Sequence, residues 1–381
     1  MEKNKILITC AQRISPILAE EVKALGYPVK SVDRMSVETE GTLQDTMRLN
    51  MHLRTATRVL FLIKSFTASH PDKLYDAVKQ IAWEKWIDPN GYISVSSYAK
   101  NDYIVDSRFP NLKTKDAIVD RLYERRRRRP DSGPNRDKTV IFLHWKLDHC
   151  QIYIDTSGET IAKHGYRKIP LKAPMIESLA AATILSTNWN QSKHFVNPMC
   201  GSGTLAIEAA LIASKKAPGL FRDNYGFMHV LPYKESEWKT VKEEAEAMQQ
   251  LGVKGKIIAT DISREAIGAA QKNAEMAGVA NWIDFEVCDF TQTPIPEDEG
   301  IVFLNPEYGE RLGEEKALEE TYKSIGDFFK QRCKGYTGYV FTGNLNLAKH
   351  IGLRSKRRIE FLNGKIDSRL LEYELYSGSK R

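Results

Sequence analysis

Three short strings in the second half of the chain carry residue types suited to holding a polar ligand. Asn197-Pro198-Met199-Cys200-Gly201-Ser202-Gly203-Thr204 follows the apolar residues HFV. Glycines at a strand-to-helix turn let the backbone approach a ligand closely and leave helix N–H groups facing it. A nucleotide, a dinucleotide or S-adenosylmethionine would suit such a turn. No GK[ST] follows, so the lysine of a phosphate cradle is absent, and the GxGxxG spacing is missing. Asp261, closing KIIATD, is placed to accept hydrogen bonds from the two hydroxyls of a ribose. Asp289, followed by Phe290, closes the next apolar run. There a carboxylate accepts from an adenine amino group while the ring covers the base. Either aspartate alone would read as a helix cap or turn residue. In series with the glycine turn, the two read as a ligand site.

The third string, Asn305-Pro306-Glu307-Tyr308-Gly309, follows the apolar run IVFL. The exocyclic amine of a base is a poor nucleophile because its lone pair is delocalised into the ring. If the Asn305 amide oxygen and the Pro306 carbonyl accept its two N–H bonds, the nitrogen is drawn toward a tetrahedral, attacking geometry. Tyr308 would stack on that base, a contact worth on the order of 1–3 kcal/mol. An Asn-Pro turn is also a common way to end a strand. That alone does not explain its place on the same sheet edge as the glycine turn.

Placing these strings on one edge requires a particular order of elements. From residue 194 onward, apolar strands end in Gly, Asp or Asn and are followed by helical patterns, the rhythm of a doubly wound parallel sheet that binds ligands at the carboxyl ends of its strands. The segment 217–255 is long for a loop and is expected to fold over a site or to pack as an extra helix. The first half reads as α+β. A strand at Lys5–Cys10 and a helix at Ser15–Gly26 are followed by strands at Phe61–Phe66 and Tyr92–Tyr98, helices at Asp72–Ile81 and Lys113–Arg129, and strands at TVIFLHW and CQIYIDT. The fold class is therefore α/β, a Rossmann-like domain preceded by an α+β region.

Composition bounds the rest. The 381 residues are 42% apolar with a mean hydropathy of −0.43, which predicts a soluble globular protein of two or three domains. No run approaches the roughly 18 apolar residues of a membrane span, and MEKNKILITCAQ carries no signal-peptide cleavage pattern, so a cytoplasmic location is expected. Cysteines at 10, 150, 200, 288 and 333 form no CxxC or Cys/His cluster, which argues against a disulfide framework and against a metal site. The net charge of +7 is unevenly spread. Residues 1–170 hold 29 Lys and Arg against 21 Asp and Glu, and residues 171–381 hold 27 against 28. This predicts a basic half that grips a polyanion and a nearly neutral half that does not.

The strings NPMCGSGTLAIEAA, ATDIS, CDF and NPEYGERL together resemble the class I S-adenosylmethionine-dependent methyltransferases that modify base amino groups. They are most similar to the THUMP-containing guanine-N2 RNA methyltransferases of the RlmL/YpsC type. KTKDAIVDRLYERRRRRP resembles the end of a THUMP module, and GYRKIPLKAPMIESLAAATI the lead into the catalytic domain. The resemblance implies a ferredoxin-like subdomain at 1–60, a THUMP domain at 61–158 and a methyltransferase domain at 159–381. It implies that Cys200, Gly201, Ser202 and Gly203 line the methionine end of the cofactor. Asp261 would hold the ribose, Asp289 and Phe290 the adenine, and Asn305, Pro306 and Tyr308 the target base, with Ile262 and Asn305 also at the cofactor. The lead-in around Pro174 and Glu177 would close over the cofactor. Two positions depart from the family pattern, which usually has Asp at 197 and Pro at 307. Glu307 is expected to face solvent, with product deprotonation or altered activity as the other outcomes.

Arg121 and the run Arg125, Arg126, Arg127, Arg128 and Arg129 would complement a helix dipole in any protein. Six arginines within nine residues also concentrate phosphate-binding groups, and RNA contact is the favoured reading. Tyr98, Lys100, Lys113 and Lys115 could widen the patch, and Arg354–Arg358 could add a second contact. The expected activity is methyl transfer to the N2 amine of a guanine, most readily in 23S rRNA, with tRNA as the alternative substrate. An RNA-binding assembly factor with a degenerate methyltransferase fold is the alternative of another class.

Overall fold

A computed structural model describes residues 2–101, 104, 106, 108–169, 171, 175–309 and 314–376. The chain forms two compact units that are interleaved along the sequence. The first comprises Met1–Cys10, Leu18–Ile161 and Arg222–Ala245; the second comprises Ala11–Ile17, Ala162–Phe221 and Glu246–Arg381.

Up to residue 155 the elements are β1 (Asn4–Cys10), α1 (Ser15–Ala24), β2 (Ser31–Asp33), β3 (Ser36–Gly41), α2 (Leu43–His52), β4 (Ala56–Thr67), α3 (Pro71–Lys79), β5 (Tyr92–Lys100), α4 (Arg108–Arg126), β6 (Asp131–Ser132), β7 (Thr139–Lys146) and β8 (His149–Asp155). Among the described residues the strands form one sheet in the order β2-β3-β1-β4-β8-β7-β5-β6. Alternation sets its two faces. Ile6, Ile8 and Cys10 of β1 are buried while Lys5, Leu7 and Thr9 are only half-buried, as period-2 patterning requires. Helix α2 has no counterpart among the elements expected from the sequence. It starts in a capping box in which Thr42 and Asp45 each bond the other's backbone N–H, at 3.3 and 2.6 Å. Helix α4 starts five residues before the expected Lys113 and ends at Arg126, where Arg127 turns left-handed at φ 54°.

The remaining elements are α5 (Glu177–Leu185), β9 (His194–Pro198), α6 (Thr204–Ala213), α7 (Glu235–Ala247), β10 (Ile257–Asp261), α8 (Arg264–Ala277), β11 (Ile283–Val287), β12 (Gly300–Leu304), α9 (Glu314–Arg332), β13 (Thr337–Thr342), α10 (Leu345–Lys349), β14 (Arg357–Asn363) and β15 (Ile366–Glu374). The second sheet has the order β11-β10-β9-β12-β13-β15-β14, parallel from β11 to β13 and antiparallel beyond. Strand order reverses between β9 and β12, the switch point at which doubly wound sheets open a crevice at their carboxyl edge. Helix α6 is wholly buried and, apart from Thr204 and Glu208, apolar. Gly203 at its N-terminus has φ 81°, and a Cβ there would lie 2.8 Å from that of Ala270 on α8. Among the described residues no helix is long and apolar enough to cross a membrane.

The segment 217–255 supplies an extra helix, α7, and its central part Arg222–Ala245 belongs to the first unit. Gly226 approaches the end of β8 so closely that a Cβ would sit 2.2 Å from the Asp155 carbonyl. Phe227 N donates to Thr156 O at 3.0 Å, and Thr139 Oγ1 donates to His229 O at 2.7 Å. This interleaving corrects the expected division of charge. The first unit holds 29 Lys and Arg against 26 Asp and Glu, the second 27 against 23, so the nets are +3 and +4. Arg13, Lys163, Arg167 and Lys168 pass to the second unit, while Arg222–Ala245 brings five acids and four bases to the first.

Candidate active site

The glycine turn is built by backbone that only a few residue types tolerate. Met199, Gly201 and Gly203 have φ of 54°, 55° and 81°. Cys200 N donates to Thr260 O and Gly203 N to Cys200 O, at 2.9 and 3.0 Å, which fixes the loop over the end of β10. Asp261 ties the two strand ends together, its Oδ2 accepting from Gly201 N at 3.0 Å and its Oδ1 from Ser263 N at 2.9 Å. A carboxylate has about four acceptor sites, so both oxygens keep one for a ligand hydroxyl. The position of a Gly201 Cβ has no atom within 4 Å, so the backbone is bare on that side. Ser202 is nearly buried, whereas Ile262, just beyond Asp261, is 74% exposed. Burial, then the nearby Asp261 carboxylate, pushes the Cys200 thiol far above its ordinary value, so it stays protonated.

Asn197 is completely buried at the end of β9. Its Nδ2 donates to Phe303 O on β12 at 2.8 Å, locking together the two strands that flank the switch point. Its Oδ1 is buried and has no hydrogen-bond partner among the described residues. Asp289 spends Oδ1 capping the turn after β11, accepting from Thr291 N at 2.9 Å. Phe290 is half-buried and meets Phe328 edge-on, with centroids 5.9 Å apart at 84°.

The Asn305 string continues from β12. Tyr308 OH donates to Asn305 Oδ1 at 3.3 Å, and Asn363 Nδ2, at the end of β14, donates to the Tyr308 hydroxyl at 3.1 Å. Asn344 Nδ2 donates to Tyr308 O at 3.3 Å, and the ring packs where a Gly343 Cβ would be, at 3.1 Å. Pro306 is buried. Glu307 is exposed, with its carbonyl accepting from Tyr322 OH at 3.2 Å.

The lead-in is pinned by a residue with no motif signature. Asn273 on α8 is fully buried. Its Oδ1 accepts from Lys168 N and Ile169 N at 3.0 Å each, and its Nδ2 donates to Ile169 O and Ser202 O at 3.0 and 3.2 Å. Glu177 opens α5 buried in an ion pair with Arg167 at 2.7 Å, and burial raises its carboxyl above the ordinary value despite that partner. Glu208 Oε1 accepts from Tyr166 OH at 2.8 Å and lies 2.7 Å from His164 Nδ1. Pro174 lies outside the described residues. A cavity of about 340 Å³ lined by Lys256, Asp284 and Glu286 flanks β10 and β11 away from these strand ends.

The arginines divide. Arg121 bonds Glu84 through two nitrogens, at 2.7 and 3.1 Å, and its side chain is 16% exposed, so it braces α4. Arg125 and Arg126 are exposed at the helix end, Arg127 and Arg129 lie over the Tyr123 ring, and Arg128 bonds Asn90 before β5. Tyr98 and Lys100 stand at the far end of β5, and Lys113 and Lys115 pair with Asp72 and Asp116, so these four do not join the run. Arg357 is likewise held by Glu372 at 2.7 Å and Ser186 O at 2.9 Å.

A mostly parallel doubly wound sheet, with a glycine turn and two acidic strand ends beside its switch point, defines a Rossmann-like ligand-binding domain. Residues 164–372 match the family described as RMKL-like, methyltransferase domain, residues 5–60 the RlmL ferredoxin-like domain, and residues 68–155 the THUMP domain. The chain belongs to the RMKL-like methyltransferase family. It is 38% identical to a protein of Syntrophotalea carbinolica named ribosomal RNA large subunit methyltransferase K/L, over 97% of this chain and 53% of that one. It is 33% identical to the putative RNA methyltransferase slr0064 of Synechocystis, over 97% and 96%. The chain thus spans about half the length of the K/L relatives. Among solved structures, a possible methylase from Clostridium difficile 630 superposes with a TM-score of 0.90 at 29% identity over 100% of both chains. SMU.472, described as a putative methyltransferase complexed with SAH, gives 0.89 at 27% identity, again over 100% of both chains.

Proposed function

We propose that the chain is an S-adenosylmethionine-dependent RNA methyltransferase acting in the cytosol on the N2 amine of a guanine, in 23S rRNA. The observation that carries this reading is the adjacency of β9 and β12, locked by Asn197 Nδ2 on Phe303 O, which sets the glycine turn beside the Asn305 string. In this reading residues 1–60, 61–158 and 159–381 serve as ferredoxin-like, RNA-holding and catalytic parts.

The residues present suit a cationic adenosine cofactor. Gly201 leaves its side of the turn bare, Asp261 keeps two acceptor sites, and Asn197 Oδ1, with no partner among the described residues, is a buried acceptor without a full charge at the end of β9. Cys200, Ser202, Gly203, Ile262, Asp289 and Phe290 complete the assigned wall. When bound, S-adenosylmethionine supplies a methyl group made electrophilic by its sulfonium. The chain's own part is orientation. Asn305 and the Pro306 carbonyl accept the two N–H bonds of the amine, and Tyr308 stacks on the flipped base. Tyr308 OH takes one of the two acceptor sites of Asn305 Oδ1, which leaves the other for the entering amine. Glu307 lies exposed beside the motif. The Cys200 thiol, raised by burial and then by the Asp261 carboxylate, fits transfer without a cysteine nucleophile.

Asn305→Ala tests the assignment. Methyl transfer to rRNA should be lost while S-adenosylmethionine affinity, read by calorimetric titration, stays close to the parent value. Normal turnover in that variant refutes the role.

A further inference from the structure

On the sheet of the first unit, the face that alternates with the fully buried Ile141, Leu143 and Trp145 of β7 carries an aromatic pair. Tyr98 on β5 and His144 on β7 are cross-strand partners. Their rings lie parallel, 12° apart, with centroids 5.3 Å from each other, and Tyr98 is 48% exposed. Lys100 and Lys146 pair at the next position on the same face, and both are exposed. Neither has a carboxylate within 4 Å among the described residues. His149, opposite Lys146 on β8, adds a titratable group. Burial first, then Lys146, His149 and Lys5, hold the His144 imidazole below its ordinary pKa, so the inner ring is neutral in a positive neighbourhood. Strand β6 pairs only with Tyr92 and Ile93. At Tyr98, β5 is therefore the sheet edge among the described residues, and the stack ends there.

We propose that Tyr98 and His144 form a stacking platform for one unpaired base of the RNA, with Lys100 and Lys146 holding the phosphates beside it. A tyrosine face backed by a second parallel ring accepts any base, whereas duplex RNA has its base faces buried. Two exposed lysines next to the rings favour a polyanion over a protein partner. The platform is separate from the arginine run. Arg128 bonds Asn90 before β5, and at ~3.3 Å per residue Tyr98 lies roughly 20 Å along the strand from Tyr92. This inference rests on the RNA reading above.

The test uses the full chain with a fluorescein-labelled 12-mer of oligoadenylate and, separately, an RNA duplex of equal length. Tyr98→Ala should weaken oligoadenylate binding by about five- to 150-fold, the range set by removing one base stack. Tyr98→Phe should bind as the parent does, and duplex affinity should move less than about twofold. Lys100→Gln and Lys146→Gln should each lower the salt slope by about one. Because Tyr98→Ala could disturb the sheet, the unaltered protein is also cross-linked to a 4-thiouridine oligomer and the adduct mapped. Adducts on Tyr98 or His144 support the platform; adducts confined to other strands overturn it. Equal losses on single strand and duplex, or no loss in a folded Tyr98→Ala protein, overturn it as well. Methylation of rRNA by the parent, run in parallel, separates the two readings. If methylation persists without these effects, only the platform fails.

Discussion

The hydroxyl of Tyr308 bonds the same amide oxygen that must receive the amine, and a third residue, Asn363, holds that hydroxyl from β14. Asn363→Ala should lower kcat/KM for rRNA by about 2- to 12-fold, the worth of one neutral hydrogen bond, and leave cofactor titration unchanged. Glu307→Gln should alter the rate by less than about twofold, as expected of a solvent-facing side chain. A larger drop in steady-state turnover would give Glu307 the product's proton. Asn305, Asp261 and Asp289 are legible in the sequence because a polar residue closing an apolar strand is a local pattern. Asn273 and Asn363 are not, since their partners at Ile169 and Tyr308 lie 104 and 55 residues away.

Two glycines with different tasks sit at the junction of β9 and α6. Gly203 lets α6 pack on α8, and Gly203→Ala combines a left-handed φ with a 2.8 Å approach to Ala270. It should destabilise the fold by about 1–3 kcal/mol, read as a lower Tm in thermal unfolding. Gly201→Ala meets no atom within 4 Å, so its melt should move by about 1–2 kcal/mol at most while S-adenosylmethionine titration weakens. Parallel strands β9, β10 and β12 are legible as apolar runs. Strand β14, RRIEFLN, is not, because an edge strand exposed along much of its length mixes charge with apolar residues and reads as loop. The resemblance implies a cofactor lid at Glu177, whose carboxylate the structure gives to Arg167.

Across the whole molecule, charge is the property that the linear sequence misrepresents. Counted by halves it suggests one basic and one neutral part, but the interleaved units carry +3 and +4. RNA grip must then come from local clusters. Replacing Arg125–Arg129 with Gln should weaken rRNA binding without moving cofactor affinity. The slope of log affinity against log salt should fall by roughly 0.7–0.9 for each phosphate left without its arginine. Arg121→Gln should instead lower the Tm, since Arg121 braces α4 through Glu84. Nucleoside mass spectrometry reads the proposed reaction itself. Ribosomal RNA and tRNA from cells lacking the gene would be digested before and after incubation with the purified chain and S-adenosylmethionine. N2-methylguanosine should be depleted in the 23S fraction and restored by the chain but not by Asn305→Ala. An unchanged N2-methylguanosine content in both RNA pools, or restoration by Asn305→Ala, would contradict it.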